Sequence, residues 1–153
     1  MAPFMLFVGR MLIGTLFLVS GIGSLLNWEG VLQYFHTMIR VWEIANHQHP
    51  TTAAFFFGVQ ELAMPLVVAA VLLQLAGGVL MMLREHTKLG AAILVTFLIP
   101  ATLFFQPFWF FVGQDQQLQQ MMFLKNLAIL GGLLYVLGQG AAATKPAKSS
   151  PAH

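Results

Sequence analysis

Residues 62–83 read LAMPLVVAAVLLQLAGGVLMML, an apolar run broken by one strongly polar side chain, Gln74. The hydrocarbon core of a bilayer is roughly 30 Å thick, and about 20 helical residues rising about 1.5 Å each will cross it. The run is long enough to span a membrane, and buried helices of soluble proteins seldom run this far without charge. Three more segments repeat the pattern on either side. Residues 4–26 are interrupted only by Arg10, residues 89–105 carry no charge, and residues 118–137 carry Lys125 and Asn126. Together the four take up more than half of the 153 residues. The expected fold class is therefore all-α, a polytopic membrane four-helix bundle.

The composition agrees. The chain has 7 basic and 5 acidic residues, 8% charged, against about 25% in a typical soluble domain. High hydrophobicity with few charges also excludes intrinsic disorder. There is no cysteine, which excludes a thiol–disulfide relay, an iron–sulfur cluster or thiolate zinc site held by this chain, and a cysteine nucleophile. The net charge is +2 and the cations are scattered singly, so no nucleic-acid partner is expected. His36, His47, His49, His86 and His153 all lie outside the spans, which rules out a bis-histidine haem in the bilayer. His47-Gln48-His49 offers two loop ligands, too few for a metal site. No metal and no cofactor ligated by this chain alone is expected. No serine triad, phosphate loop or pair of catalytic carboxylates is visible.

The links give an orientation. Residues 84–88 read REHTK, and the tail carries Lys145 and Lys148. The link after span one balances Arg40 with Glu29 and Glu43, and the link before span four has Asp115 and no cation. The positive-inside rule puts both termini and the 84–88 turn in the cytoplasm of a bacterial cell, with the other two links outside the inner membrane. Span one reads as a retained helix and not a signal peptide, because Arg10 lies inside the apolar run and no small-residue cleavage site follows Ser20–Gly23. Between spans one and two, apolar residues at Trp28, Val31, Leu32, Phe35, Met38, Ile39 and Trp42 follow the period of one helical face. Residues 28–45 are predicted to form an extra amphipathic helix, capped by Asn27. It either lies on the outer membrane surface or folds over the bundle mouth. Residues 46–52 read as a loop. Because Pro65 follows Glu61 so closely, residues 55–60 read as a short separate turn before span two. The tail from 139 to 153, rich in Ala, Lys, Ser and Pro, reads as disordered.

Polar groups at membrane depth need a physical account, since an ionisable side chain there costs an estimated 2.5–3.5 kcal/mol at mid-span. Arg10 can snorkel to the headgroups or hold an anionic one. Glu61 and Lys125 fall near the same depth, and pairing would lower the cost of each. Gln74 is expected to bond to a neighbouring helix. Small residues at Gly21, Gly77, Gly78, Gly131 and Gly132 suit close helix packing, and the likeness of residues 75–80 to 129–134 reflects that packing or an old duplication. Residues 104–111 read FFQPFWFF, which forms an interfacial aromatic belt or a slot for a flat apolar ligand such as a quinone ring. In the second case Gln106, Lys125 or Asn126 would bond the ring oxygens. The candidate ligand set is Glu61, Gln106, Trp109, Lys125 and Asn126.

Several of these stretches form a family pattern. Gly9-Arg10 followed by Phe17-Leu18-Val19-Ser20-Gly21-Ile22-Gly23 resembles the opening motif of the DoxX family. Gln74-Leu75-Ala76-Gly77-Gly78 resembles its second-span E-x-x-G-G. Phe108-Trp109 followed by Phe123-Leu124-Lys125-Asn126 and Gly131-Gly132 resembles its closing F-W and K-N…G-G. The resemblance covers about residues 9–138 and implies a four-span domain over residues 1–138. Three positions depart from the pattern. Ser24 stands where the family commonly has Lys, Gln74 where it has Glu, and Gln106 where a His is frequent. The resemblance implies a small inner-membrane protein. Some members are subunits of thiosulfate:quinone oxidoreductase, and others are linked to membrane redox complexes and oxidative-stress defence. Three functions follow as expectations. The first is a quinone-engaging subunit of an oxidoreductase complex. The second is a non-catalytic anchor or assembly factor for a redox or stress-defence partner, docked through the helix over residues 28–45, with its Trp28/Phe35/Trp42 face, and the aromatic edge; a protein partner or a homo-oligomer is expected. The third is a transporter, which the few intramembrane charges disfavour.

Overall fold

Each apolar run forms one helix. The computed structural model describes residues 2–48 and 50–142. Its long apolar helices are α1 (Ala2–Leu26), α4 (Ala63–Met82), α5 (Thr87–Phe105) and α6 (Gly113–Ala142). These four are long and apolar enough to cross a membrane. Two shorter helices, α2 (Trp28–Ala45) and α3 (Pro50–Glu61), sit between the first two spans, and a 3₁₀ turn at Phe108–Phe110 follows α5. No strand occurs among the described residues. α6 continues to Ala142; residues 143–153, with Lys145, Lys148 and His153, lie outside the described residues, as does His49.

Neighbours in the bundle are antiparallel. α1 packs on α4, α4 on α5, and α5 on α6. Close approach is set by missing side chains. A Cβ on Gly90 would lie 2.5 Å from the Met81 nitrogen, and one on Gly78 would lie 3.0 Å from the Gly14 carbonyl oxygen. Gly21 and Gly77 are similarly tight against Leu75 and Leu94. The Gly131-Gly132 pair differs from expectation. A Cβ on Gly131 meets nothing within 4 Å, and one on Gly132 meets only Ile13 at 3.6 Å. The reason is topological: α6 has one close helical neighbour among the spans, α5, and neither glycine faces it, Gly132 lying toward the loosely packed α1 and Gly131 being exposed.

One end of the bundle, the turn end, holds the start of α1, the link from α4 to α5 and the end of α6. There Arg10 Nη1 donates to Thr87 Oγ1 at 3.0 Å. Thr87 in turn donates to the Leu83 carbonyl at 2.9 Å. Arg10 therefore turns into the protein and not out to the headgroups, and it ties the start of α1 to the start of α5.

The opposite, capped end carries α2 and α3. Phe35, Met38 and Ile39 of α2 are buried. Trp28, Val31, Leu32 and Trp42 pack against the same cluster. The apolar face of α2 thus closes over the bundle mouth. Its docking is fixed by chemistry at the end of α5, where the last carbonyls of a helix have no partner within it. Trp42 Nε1 donates to the Phe104 carbonyl at 3.0 Å, and Tyr34 Oη donates to the Phe105 carbonyl at 2.8 Å. α1 and α2 are joined by Asn27 alone. Asn27 makes no side-chain cap. Its side chain lies against Gly30, and backbone bonds of 3.0 Å on both sides carry the helical ladder nearly through the joint. Where a loop and a turn were expected, α3 is a full helix opening on Pro50. Proline suits a first helical position because its missing N–H would have no partner there in any case. The same reasoning admits Pro65 to the first turn of α4.

Two cores result. Phe17, Met81, Ala91, Leu94, Leu98 and Leu133 fill the bundle toward the turn end. Phe35, Ile39, Phe56, Ala63 and Val67 fill the space beneath α2.

Candidate functional site

A cavity of about 740 Å³ separates the two cores. Phe17 and Leu98 of one core and Phe35, Ile39 and Val67 of the other form part of its wall. All six helices contribute to the lining, and most of it is apolar. The polar groups come from α1 (Ser20, Ser24), α2 (Tyr34), α4 (Gln74), the residue after α5 (Gln106) and α6 (Lys125, Asn126). α1 and α6 are not close neighbours along their length. They approach at Ile13 and Gly132, near the turn end. Toward the capped end the seam between them is loose, with Ser20 and Ser24 on one side and Lys125 and Asn126 on the other.

The rim of the cavity is held by a hydrogen bond, Asn126 Nδ2 to Gln106 Oε1 at 2.8 Å. Gln106 is placed by the chain break at Pro107, which is buried and cannot continue α5. Asn126 and Lys125 are placed by α6, whose first turns start beyond the 3₁₀ segment at Gly113, where a φ of +66° favours glycine. Each amide keeps spare capacity, an N–H₂ on Gln106 and a carbonyl on Asn126. Lys125 adds a cation beside them. The Ser24 hydroxyl donates back to the Ser20 carbonyl at 3.0 Å and can still accept.

Of the sequence-derived ligand set, the structure brings together Gln106, Lys125 and Asn126. Trp109 and Glu61 do not line the cavity. Trp109 belongs to an aromatic cluster on the outside of the rim, 5.1 Å from Phe108, 6.1 Å from Trp42 and 6.3 Å from Phe123 between ring centroids. Glu61 ends α3 and is exposed. Neither Glu61 nor Lys125 makes an ion pair among the described residues. They are not brought together because Glu61 ends α3, which packs on α2 and α4, whereas Lys125 lies on α6, which packs on α5. On the expected partner-docking face, Phe35 is buried and Trp28 and Trp42 are half-buried, all three packed in closing the bundle.

Gln74 is the residue whose role the sequence understated. It is 6% exposed. Among the described residues its buried Oε1 has no hydrogen-bond partner, and its side chain makes no bond to a neighbouring helix. It lines the cavity from α4 instead. The one signal for it was its isolation as the sole polar residue of the run 62–83. Tyr34 carries no signal in the sequence, because it lies beside the apolar series of α2 and its partner is 71 residues away.

The DoxX family model matches residues 5–107. The chain belongs to the DoxX family. The match takes in the opening motif and the second-span motif, and it ends just before Phe108-Trp109. No curated protein and no solved structure matches the chain. This DoxX protein is therefore a multi-pass membrane protein by family and by helix length and composition. Its three departures from the usual DoxX residues, Ser24, Gln74 and Gln106, all line the one cavity. Each replaces an ionisable group with a neutral one that can donate and accept hydrogen bonds.

Proposed function

We propose that this DoxX protein is the membrane subunit of an oxidoreductase complex and holds a quinone in the cavity beneath α2. The observation that carries the reading is the cavity itself: apolar walls, a polar rim at Gln106, Lys125 and Asn126, and a loose seam facing the bilayer. Ligand sites of this kind have mostly apolar linings with a few placed polar groups that fix orientation. A quinone ring is flat and apolar with an oxygen at each end. Phe97, Phe104 and Phe105 supply aromatic surface for its body, and the Lys125 ammonium or a rim amide supplies a donor to one oxygen. A partner subunit supplies the electrons. The link charges favour a capped end on the outer side of a bacterial inner membrane, which would place the ring in the outer leaflet. The anchor reading keeps the exposed aromatic edge at Trp109 and Phe110, while the apolar face of α2 is turned inward.

Titration of the purified protein with a short-chain quinone tests this. Saturable binding is expected. Lys125→Ala should weaken it about tenfold or more, the worth of a hydrogen bond from a charged donor. Absence of saturable binding to the native chain would overturn the reading.

A further inference from the structure

The cavity has a second polar place, far from its rim. Val67 packs in the core that also receives Phe105, so that residue of α4 lies level with the end of α5. Gln74 follows seven residues later, about two helical turns and roughly 10 Å farther into the bundle. Ala70, Val71, Phe97 and Ala101 line the cavity around it, and all are apolar. Gln74 is more than nine-tenths buried, and its Oε1 has no partner among the described residues. On the α1 side Gly21 packs closely over it, where a Cβ would lie 3.4 Å from Gln74 Cβ, so the cavity is the free space on this part of α4.

Leaving a buried amide unbonded is costly, and replacing it with an apolar residue would remove that cost. Gln74 lines the cavity while its Oε1 is covered and unbonded among the described residues, and a turn of the amide about its last bond would present that oxygen to a ligand. We propose that the Gln74 amide is the second hydrogen-bonding point for the ring, meeting the oxygen farther from the rim. This rests on the reading of the cavity as a quinone site and adds the deep contact to it. An amide both donates, through Nε2, and accepts, through Oε1. It therefore serves the carbonyl of a quinone and the hydroxyl of a quinol equally. Gln74 makes the deep site indifferent to the redox state of the ring, so that the cavity can keep its occupant before and after reduction by a partner.

The test compares the native chain with Gln74→Leu. The probes are decylubiquinone and its quinol, followed by tryptophan fluorescence, with thermal unfolding of the ligand-free protein measured beside them. Gln74→Leu should weaken both forms about tenfold. It should leave the unfolding temperature unchanged or raised, which a merely structural amide would not do. If Gln74→Leu does not fold, Gln74→Met, close to the amide in length, carries the same expectation. Unchanged affinity for both forms, or weakening of one form alone, would overturn the proposal and leave the quinone reading standing. Failure of the native chain to bind either form would overturn both.

Discussion

Gly90 shows how little room the α4–α5 contact leaves. A Cβ there would meet the backbone of Met81, Leu80 and Gly77 within 3 Å, and backbone cannot yield as a side-chain tip can. Gly90→Ala should cost about 1–3 kcal/mol, the usual penalty for overpacking, and lower the melting temperature in detergent. Gly131→Ala meets open space and should melt at the native temperature or slightly above, because alanine favours the helix. The two variants separate a glycine that packs from one that only resembles it in sequence. Arg10 and Gln74 make a similar pair. Both are visible in the sequence as polar residues in apolar runs, yet among the described residues one finds a partner, Thr87, and the other finds none. A sequence shows that a polar group sits at depth. What it bonds to depends on which helix stands opposite.

Among the elements, α2 is the most informative. Its amphipathic period was legible, and so was its separation from the spans. The surface it covers was not, because two hydrogen bonds to the end of α5 decide it, across 62 and 71 residues of chain. Trp42→Phe combined with Tyr34→Phe keeps the rings and removes both donors. Each lost bond should cost about 1 kcal/mol, and amide exchange across α2 and the last turn of α5 should speed up while the turn end stays protected. α3 was only partly legible: Pro65 and the polar residues near Pro50 mark breaks, but a proline that opens a helix and one that ends it look alike in a short polar stretch. The span limits were read to within a few residues, since composition alone sets them.

At the scale of the whole molecule, the four spans and the family were legible because hydropathy and short motifs carry them. The cavity was not, because it arises from residues on six helices and from the unequal packing of α1 and α6. The orientation has a direct measurement. The chain has no native cysteine, and positions 36 and 86 are exposed at opposite ends. His36→Cys should react with an impermeant thiol reagent added outside intact cells, and His86→Cys only after the membrane is opened; the reverse pattern would invert the topology. The loose seam between α1 and α6 has a further consequence. A molecule that enters there partitions into the bilayer first, so occupancy follows its mole fraction among the surrounding lipids and not its concentration in water. Affinities measured in micelles and in vesicles should agree only when expressed on that scale, and acyl chains of the host bilayer compete for the same opening.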